Sequence, residues 1–372
     1  MTTTKHILFL RGFREEEAAS TTKYANGLIG ALQKYMAAEI TFDEFTPKIL
    51  LPAWFRGTWG MRFARYILYP FQAPHQSGAI THILDYGYAH VLYIRNPART
   101  IVTVTDLMPV LWWKGLLPVQ SKKGIPLTVL YSLYALKRAT RIITKSLNTK
   151  NDLVKLIGCD PSKISVVYEG VGEIFKPYDI KLKNAVRNQL FGTEPKKLIL
   201  ITGWQFYKNH ETALKTIVFL RANGLKNIYL VKTGNPTQDW SNLVNKYELT
   251  SNVINIGFIP REQMPDLYNA VDVLFFPSLY EGFGWPPLEA IACGTPAVTS
   301  NVASLPEVMG EIDTMCAPFD VIGFAKKIQT LLIDEEYHQR IIQQGIIRAA
   351  KFNWGDAAKK IVDVYNLVDS KE

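Results

Sequence analysis

The sequence predicts an α/β protein with two doubly wound parallel-sheet domains. Short apolar runs with the length of buried strands alternate with helical periods along most of the chain, which is the pattern of parallel sheets covered by helices. The chain has 372 residues, and since domains usually contain about 100 to 200 residues, two domains are expected.

The strands fall into two series. Those of the first series are predicted at 6–10, at Ile83 and at 100–104, 141–144 and 164–168, with a helix at 24–36; those of the second are predicted at 197–202, 228–233, 253–256, 271–276 and 297–300. They define an N-terminal domain at 1–172, an irregular linker at 173–195, a C-terminal domain at 196–353 and a final helix at 354–372, which we expect to pack back towards the N-terminal domain. Ligands of such sheets bind beyond the carboxyl ends of the strands, so a cleft between the two domains is the expected site.

Positive charge is concentrated in the N-terminal half. Residues 1–170 contain 21 Lys and Arg against 11 Asp and Glu, a balance of +10, whereas residues 171–372 contain 21 against 22. Within residues 51–150, the 13 basic side chains accompany aromatic residues such as Trp54, Trp59 and Trp113. This mixture suits an anionic membrane surface, and equally a solvated charged face above core aromatics. Nucleic acid is not expected as a partner, because no RNP, helix-turn-helix or zinc pattern is present.

The cysteines and the hydropathy indicate a compartment. Cys159, Cys293 and Cys316 are odd in number and have no metal-ligand spacing, which favours a reducing environment over a disulfide scaffold. No charged-then-apolar leader opens the sequence, and no apolar stretch reaches the roughly 18 to 20 residues that a membrane span needs. We therefore expect a cytoplasmic protein, either soluble or held at the inner face of the membrane.

The segment 276–294, FPSLYEGFGWPPLEAIACG, indicates a nucleotide-sugar site. A strand enters a turn with Gly282 and Gly284, and the prolines that follow suit the first turn of a helix. Helix N-termini favour a diphosphate through their N–H groups and dipole. Glu281 and Glu289 would repel a diphosphate unless they faced another group, and sugar hydroxyls are natural partners for charged acceptors. Ordinary helix capping is the alternative for each glutamate taken singly.

The chain from 268 to 307 strongly resembles the donor domain of family 4 glycosyltransferases. The matching residues are Tyr268, Ala270, Asp272, Pro277, Glu281, Glu289, Gly294, Pro296, Ser304, Pro306 and Glu307. In that family two glutamates with this spacing are the signature of retaining transferases. The resemblance implies the GT-B fold, in which two Rossmann-like domains face a central cleft. The donor-binding residues that it implies are Gly203, Lys208, Asn209, Phe258, Ile259, Glu281, Gly282, Phe283, Gly284, Leu288 and Glu289.

Lys208 precedes a predicted helix, where a lysine can neutralise charge on a leaving diphosphate; a plain surface lysine would look the same. Because family 4 enzymes have a glycine and then a Lys-Asn pair here, the resemblance implies the diphosphate role. This chain departs from the family at 204–207, where a second basic residue is common and Trp, Gln, Phe and Tyr stand instead. Similar family segments place the nucleobase against the backbone of Phe258 and Ile259, although core residues would give the same pattern.

The run from His82 to Asp106 resembles a subgroup that includes bacterial mannosyltransferases. Asp106 ends a strand beside the expected cleft. The preceding position, often a histidine that contacts the donor sugar, is Thr105, which cannot act as a base. His90 is a candidate acceptor contact, although a lone histidine after two aromatic residues is more often structural. Thr105, His90 and Ser20 are assigned to the acceptor side, and Ser20 stands at a turn where the family commonly has a glycine pair.

The resemblance implies a retaining transferase that moves a hexose from GDP-mannose or a UDP-sugar to a glycan or glycolipid hydroxyl in cell-surface polysaccharide biosynthesis. The residues assigned to catalysis are Glu281, Lys208 and Asp106. No metal or other cofactor is expected, since the chain lacks an Asp-x-Asp pattern and a lysine with helix termini can take the electrostatic task of a metal. Two alternatives stay open: a nucleotide-sugar epimerase, and a non-catalytic subunit that binds nucleotide sugar.

Overall fold

The computed structural model describes residues 4–16, 19–52, 54, 57–118 and 127–369. These residues form two compact units. The first contains the described residues up to 116, those of 127–170 and those from 353 onward, and the second contains 171–352 with residues 117 and 118. Each unit is built on one six-stranded sheet, and the named strands in both sheets pair in parallel.

The first sheet has the order β2-β1-β3-β4-β5-β6. Its strands are β1 Lys5–Leu10, β2 Ile40–Phe45, β3 Ile80–Ile83, β4 Thr100–Val104, β5 Arg141–Thr144 and β6 Ile164–Val166. All five residues of β4 are buried, as expected for a central strand of a parallel sheet covered on both faces. The strand order reverses between β1 and β3, and ligands of doubly wound sheets bind at such a switch point.

Helices and two apolar clusters cover the faces of this sheet. The α-helices of the first half are α1 Ala19–Tyr35, α2 Thr58–Phe63, α3 Tyr69–Gln72, α4 Met108–Trp113, α5 Leu127–Ala135 and α6 Leu147–Asp152. A π-helical turn, Ala64–Leu68, joins α2 to α3, and a 3₁₀ segment, Tyr86–Tyr93, follows β3.

The C-terminal helix belongs to the first unit, where it packs on α1. It spans Trp354–Asp369, and residues 370–372 of the predicted helix lie outside the described part of the chain. Its Tyr365 is fully buried, and the phenol oxygen lies 2.9 Å from His82 Nδ1. The other ring nitrogen of His82 lies 2.8 Å from the Thr103 hydroxyl. Burial lowers the pKa of His82 to about 3, so this contact uses the neutral imidazole.

The second sheet has the order β12-β11-β10-β7-β8-β9. Its strands are β7 Lys197–Ile201, β8 Ile228–Thr233, β9 Val253–Gly257, β10 Val273–Phe276, β11 Ala297–Ser300 and β12 Met315–Cys316. Read from β9, the strands follow the order of the dinucleotide-binding fold, whose switch point falls between the first and fourth strands. Here that point lies between β7 and β10.

The sheet of the second unit is accompanied by its own α-helices. These helices are α7 Ile180–Phe191, α8 His210–Ala222, α9 Gln238–Lys246, α10 Met264–Ala270, α11 Trp285–Ala292, α12 Leu305–Met309, α13 Val321–Ile333 and α14 Glu335–Ala349. The C-terminal helix of the first unit, Trp354–Asp369, is α15.

The parallel sheets and the α/β class are confirmed, one local expectation was wrong, and two strands were missed. The predicted irregular linker, 173–195, contains α7, whose N-cap Asp179 accepts hydrogen bonds from the N–H groups of Lys181 and Leu182. Strand β2 was missed because Asp43 and Glu44 interrupt its apolar pattern. Strand β12 has only two residues, too few for a periodic signal. Among the described helices, none has the length and apolar character needed to cross a membrane.

Candidate functional site

Two loops at the switch point of the second sheet bring a lysine and a glutamate into contact. Lys208 lies in the loop after β7, and Glu281 lies in the loop after β10. The Lys208 Nζ is 2.7 Å from Glu281 Oε1, and the two side chains are 11% and 12% exposed. The structure therefore unites two predicted site residues that are 73 positions apart, at the edge of the sheet where ligands of this fold bind.

The loop after β7 is shaped around the Lys208 side chain. Gly203 has a φ of +83°, and a Cβ at this position would lie 2.8 Å from Lys208 Cε. The left-handed backbone conformation therefore favours glycine here, and the lysine side chain packs closely against it. The Lys208 ammonium also lies 4.5 Å from the centroid of the Phe276 ring, a distance typical of a cation–π contact.

Asn209 joins the two loops. Its side-chain amide donates hydrogen bonds to the carbonyl oxygens of Pro277, at 3.0 Å, and Pro318, at 2.7 Å. Its backbone is left-handed, with a φ of 56°. The side-chain N–H groups thus serve the protein, so the structure gives Asn209 a positioning role between the segments that carry Lys208 and Glu281.

Ser304 fixes the turn before α11 by hydrogen bonds to its backbone. Its hydroxyl oxygen lies 2.9 Å from the Glu281 carbonyl oxygen and 2.7 Å from that of Phe283. Gly284 caps the helix with a φ of +118°. Because Pro286 and Pro287 carry no N–H, backbone donors at this terminus come from residues before them.

Glu289 is buried on α11 beside a second cation. The Arg261 Nη1 lies 2.9 Å from Glu289 Oε1, and the Tyr268 hydroxyl donates to Oε2 at 3.1 Å. The Arg261 guanidinium also lies 5.1 Å from the centroid of the Trp285 ring. Burial, followed by the Glu289 charge, raises the pKa of Tyr268 well above its ordinary value. The two signature glutamates therefore contact different cations, and Arg261 is a residue that the sequence reasoning missed.

The remaining donor-side residues differ in what they can reach. Phe258 follows β9 and is 78% exposed, so its ring is accessible at the carboxyl end of the sheet, and Ile259 beside it is half-buried. The Leu288 side chain is fully buried, and its N–H donates to the Gly284 carbonyl. The Phe283 side chain is buried in ring contact with Phe352. Contrary to expectation, Leu288 has a packing role, because both its side chain and its N–H are already used.

The first unit has a cavity of about 220 Å³ that brings together three predicted residues. Ser20, Thr105 and Asp106 line it, together with Arg65 and Asp85. The cavity lies where the chain leaves β3 and β4, at the carboxyl ends of the strands. Asp106 Oδ1 also accepts a hydrogen bond of 3.0 Å from the Met108 N–H, which fixes the turn into α4.

His90 does not line this cavity. Its Nε2 lies 2.9 Å from the Arg65 carbonyl oxygen, and its ring packs 4.7 Å from that of Tyr66. Burial lowers its pKa to about 4, so the ring is neutral near pH 7. The structure thus supports the structural interpretation of His90 and not the expected acceptor contact. Among the described residues, no group of three or more His, Cys, Asp or Glu side chains is arranged to hold a metal ion.

Comparison with known proteins supports the interpretation of this geometry. The family described as "Glycosyl transferases group 1" matches residues 183–348. The serotype-specific mannosyltransferase WbdA of Escherichia coli is 38% identical over 133 residues, which cover 35% of this chain and 16% of that protein. The O-antigen chain mannosyltransferase B of the same organism is 38% identical over 113 residues, 30% of each chain. This chain therefore spans less than a third of either relative.

The fold is shared with solved structures over the whole chain. Sucrose-phosphate synthase from Thermosynechococcus elongatus superposes with a TM-score of 0.74 at 18% identity, covering 99% of this chain and 100% of that one. The chain has the GT-B fold, and residues 183–348 match the group 1 glycosyltransferases, in agreement with the resemblance seen in the sequence.

Proposed function

We propose that this chain is a retaining glycosyltransferase that moves a hexose from a nucleoside diphosphate sugar to a glycan or lipid-linked glycan hydroxyl. The observation that carries the proposal is the contact of Lys208 with Glu281 at the switch point of the sheet, inside a group 1 glycosyltransferase domain. The names of the two Escherichia coli relatives favour mannose as the sugar, hence GDP-mannose as donor, and cell-surface polysaccharide as the product.

On this proposal, the Lys208 ammonium exchanges Glu281 for the diphosphate when the donor binds. The Glu281 carboxylate now neutralises the lysine. A diphosphate carries more negative charge than one carboxylate and presents several acceptor oxygens, so it takes the ammonium when it binds. Glu281 is then released to accept hydrogen bonds from the hydroxyls of the donor sugar, and Glu289 accepts from the ribose.

In the chemical step, the bond between the anomeric carbon and the diphosphate oxygen breaks. Negative charge develops on the leaving diphosphate, where Lys208 and the backbone dipoles of the 282–284 turn stabilise it. The acceptor oxygen forms the new bond on the face from which the diphosphate departs, and the hydroxyl proton passes to a diphosphate oxygen. Atoms and charge balance without a metal, and the anomeric configuration is retained.

The acceptor sugar is assigned to the cavity of the first unit. Its lining combines the carboxylates of Asp85 and Asp106 with the hydroxyls of Ser20 and Thr105 and the guanidinium of Arg65. Carboxylates and hydroxyls are hydrogen-bonding partners of sugar hydroxyls, and two acids against one base disfavour an anionic ligand. This composition supports a neutral saccharide as the group that accepts the transferred hexose.

A peripheral contact with an anionic membrane, at the cytoplasmic face, completes the proposal. The helical segment from α2 to α3 exposes four large apolar side chains at a spacing of four residues: Trp59, Phe63, Ile67 and Phe71. Such a spacing places them along one face of a helix. The region 51–150 has 13 basic and two acidic residues, so its charge complements anionic lipid headgroups. An apolar face together with basic charge is typical of helices that lie at a membrane interface.

Vesicle flotation tests the membrane contact. The wild-type chain is expected to float with phosphatidylcholine vesicles that contain phosphatidylglycerol, and less with phosphatidylcholine alone. Replacing Trp59 and Phe71 together by Ser should abolish flotation, whereas Ile333→Ser, which removes an exposed apolar residue from the second unit, should leave it unchanged. Equal flotation of both variants would mean that the exposed apolar face of the α2–α3 segment is not the membrane contact.

Turnover assays separate the proposed activity from its alternatives. The chain is incubated with UDP- and GDP-sugars, with and without mannose oligosaccharides as acceptors. Elongated oligosaccharide is the expected product. An isomerised sugar nucleotide in the absence of acceptor would indicate an epimerase. Binding of UDP or GDP with neither hydrolysis nor transfer for any acceptor would indicate a non-catalytic subunit.

A further inference from the structure

A buried lysine stands beneath the loop that carries Lys208. Lys232 is the penultimate residue of β8 and is 2% exposed. Its ammonium donates hydrogen bonds to the carbonyl oxygens of Gly203, at 2.6 Å, and Thr233, at 2.5 Å. These carbonyls lie at the carboxyl ends of β7 and β8, next to the switch point, so the lysine charge is placed at the ligand-binding edge of the sheet.

In the part of the chain that the structure describes, no carboxylate balances this positive charge. Within the described residues, no ion pair joins Lys232 to an acid. Burial alone lowers its pKa to about 8, and no nearby negative charge opposes that shift. Buried charges in proteins are normally paired or coordinated, so an unpaired ammonium at this edge points to an anionic ligand.

Neighbouring groups leave the edge with an excess of positive charge. Lys208 is compensated by Glu281. His210 is neutral, because burial and the charges of Lys232 and Lys208 lower its pKa to about 3. In the described part of the chain, His210 Nε2 and the buried Thr202 hydroxyl lack hydrogen-bond partners. A cation with no carboxylate partner among the described residues thus lies at the same edge of the sheet as two polar atoms that the protein does not satisfy.

We propose that Lys232 supplies the second positive charge for the diphosphate of the donor, acting from beneath the 203–208 loop. The inference rests on the proposed function. It accounts for the absence of a basic side chain at 204–207, because the charge is provided by the neighbouring strand. Gly203 connects the two cations: its carbonyl accepts from Lys232, and Lys208 packs against its Cα. Because Lys232 is buried, water screens its charge less than it screens the charge of an exposed lysine.

Calorimetry with UDP, GDP and the matching monophosphates tests this role. Lys232→Met should weaken binding of the preferred nucleoside diphosphate by about tenfold or more, the range for a lost charge-assisted contact, and weaken the monophosphate less. Lys232→Arg, which keeps the charge, should restore most of the affinity. The control is Lys215→Met, because Lys215 pairs with Glu211 on the exposed side of α8.

The pH dependence of binding needs no variant and separates charge from packing. Of the titratable groups around this edge, His210 is influenced by the charges of both Lys232 and Lys208, and the Trp240 ring lies 5.7 Å from the Lys232 ammonium. His210 stays neutral above pH 5, so a change near pH 8 belongs to Lys232. Wild-type affinity for the diphosphate should fall as pH rises above about 8, and the Met variant should lack this fall.

The outcomes distinguish the two proposals. Wild-type affinity for UDP or GDP that is equalled by Lys232→Met, or that shows no fall above pH 8, would overturn the role of Lys232 and leave the transferase proposal standing. Failure of the wild-type chain to bind either diphosphate would overturn both. A uniform loss for monophosphate and diphosphate in the Met and Arg variants alike would mean that Lys232 only supports the loop.

Discussion

Replacing Glu281 by Gln should tighten the binding of a nucleoside diphosphate that carries no sugar. In the structure, Glu281 holds the Lys208 ammonium at 2.7 Å, and a diphosphate must displace it. The amide of Gln has no negative charge, so the lysine is available to phosphate without that cost. A conventional binding residue would give the opposite result, because its removal weakens binding.

The size of the effect follows from the burial of the pair. Both side chains are about nine-tenths covered, at 11% and 12% exposure. Exposed ion pairs contribute about 0 to 1 kcal/mol, and hydrogen bonds to charged groups about 1.5 to 3 kcal/mol. An intermediate figure of about 1.5 kcal/mol corresponds to roughly tenfold tighter binding.

Isothermal titration calorimetry with GDP and UDP measures this change. The control is Glu336→Gln, which removes the same charge from an exposed position on α14 and should leave the affinity unaltered. In the Glu281 variant, the extra affinity of the nucleotide sugar over the nucleotide should fall, and transfer should be lost. If Glu281→Gln binds the diphosphate no more tightly than wild type, the partner exchange does not occur.

Three further predictions concern other parts of the site and fold. Arg261→Met should lower the free energy of unfolding by about 2 kcal/mol, because the buried Glu289 carboxylate loses its guanidinium; chemical denaturation measures the loss, and an unchanged midpoint would contradict the pairing. The folded-state pKa of His82 is about 3, below its ordinary 6.5, so stability should fall as pH drops from 6.5 towards 3. His82→Gln should remove up to about 1.4 kcal/mol per pH unit from that slope, and an identical slope would refute it. Asp106→Asn should lower kcat/KM for the acceptor by about tenfold or more while leaving GDP affinity intact; a loss of GDP affinity would place Asp106 elsewhere.

The sheets were predictable because their strands are local apolar runs. Thr100–Val104 and Ile228–Thr233 were predicted with the bounds that the structure has. A buried parallel strand is a nearly continuous apolar run, so it can be recognised without knowing which strands it pairs with. Ile40–Phe45 was missed because its polar residues hide that signal. Helix α7 was missed because charge was interpreted as irregular structure, although Asp179 is an N-cap residue type.

The types of residue in the site were predictable, and their pairing was not. Lys208 and Glu281 were both assigned to the donor, yet the sequence contains no sign that one neutralises the other. Arg261 was missed because a single arginine after a strand has no distinctive spacing. Lys232 was missed because a lysine within an apolar run resembles an ordinary strand residue. Contacts between distant segments depend on strand order, and that order is set by packing of the whole sheet.

The anomeric configuration of the product tests the central claim most directly. Proton NMR of the oligosaccharide formed from an α-linked nucleoside diphosphate sugar should show a new α-linkage, as expected for a retaining transferase that uses Lys208 and Glu281. A new β-linkage would contradict the proposed mechanism.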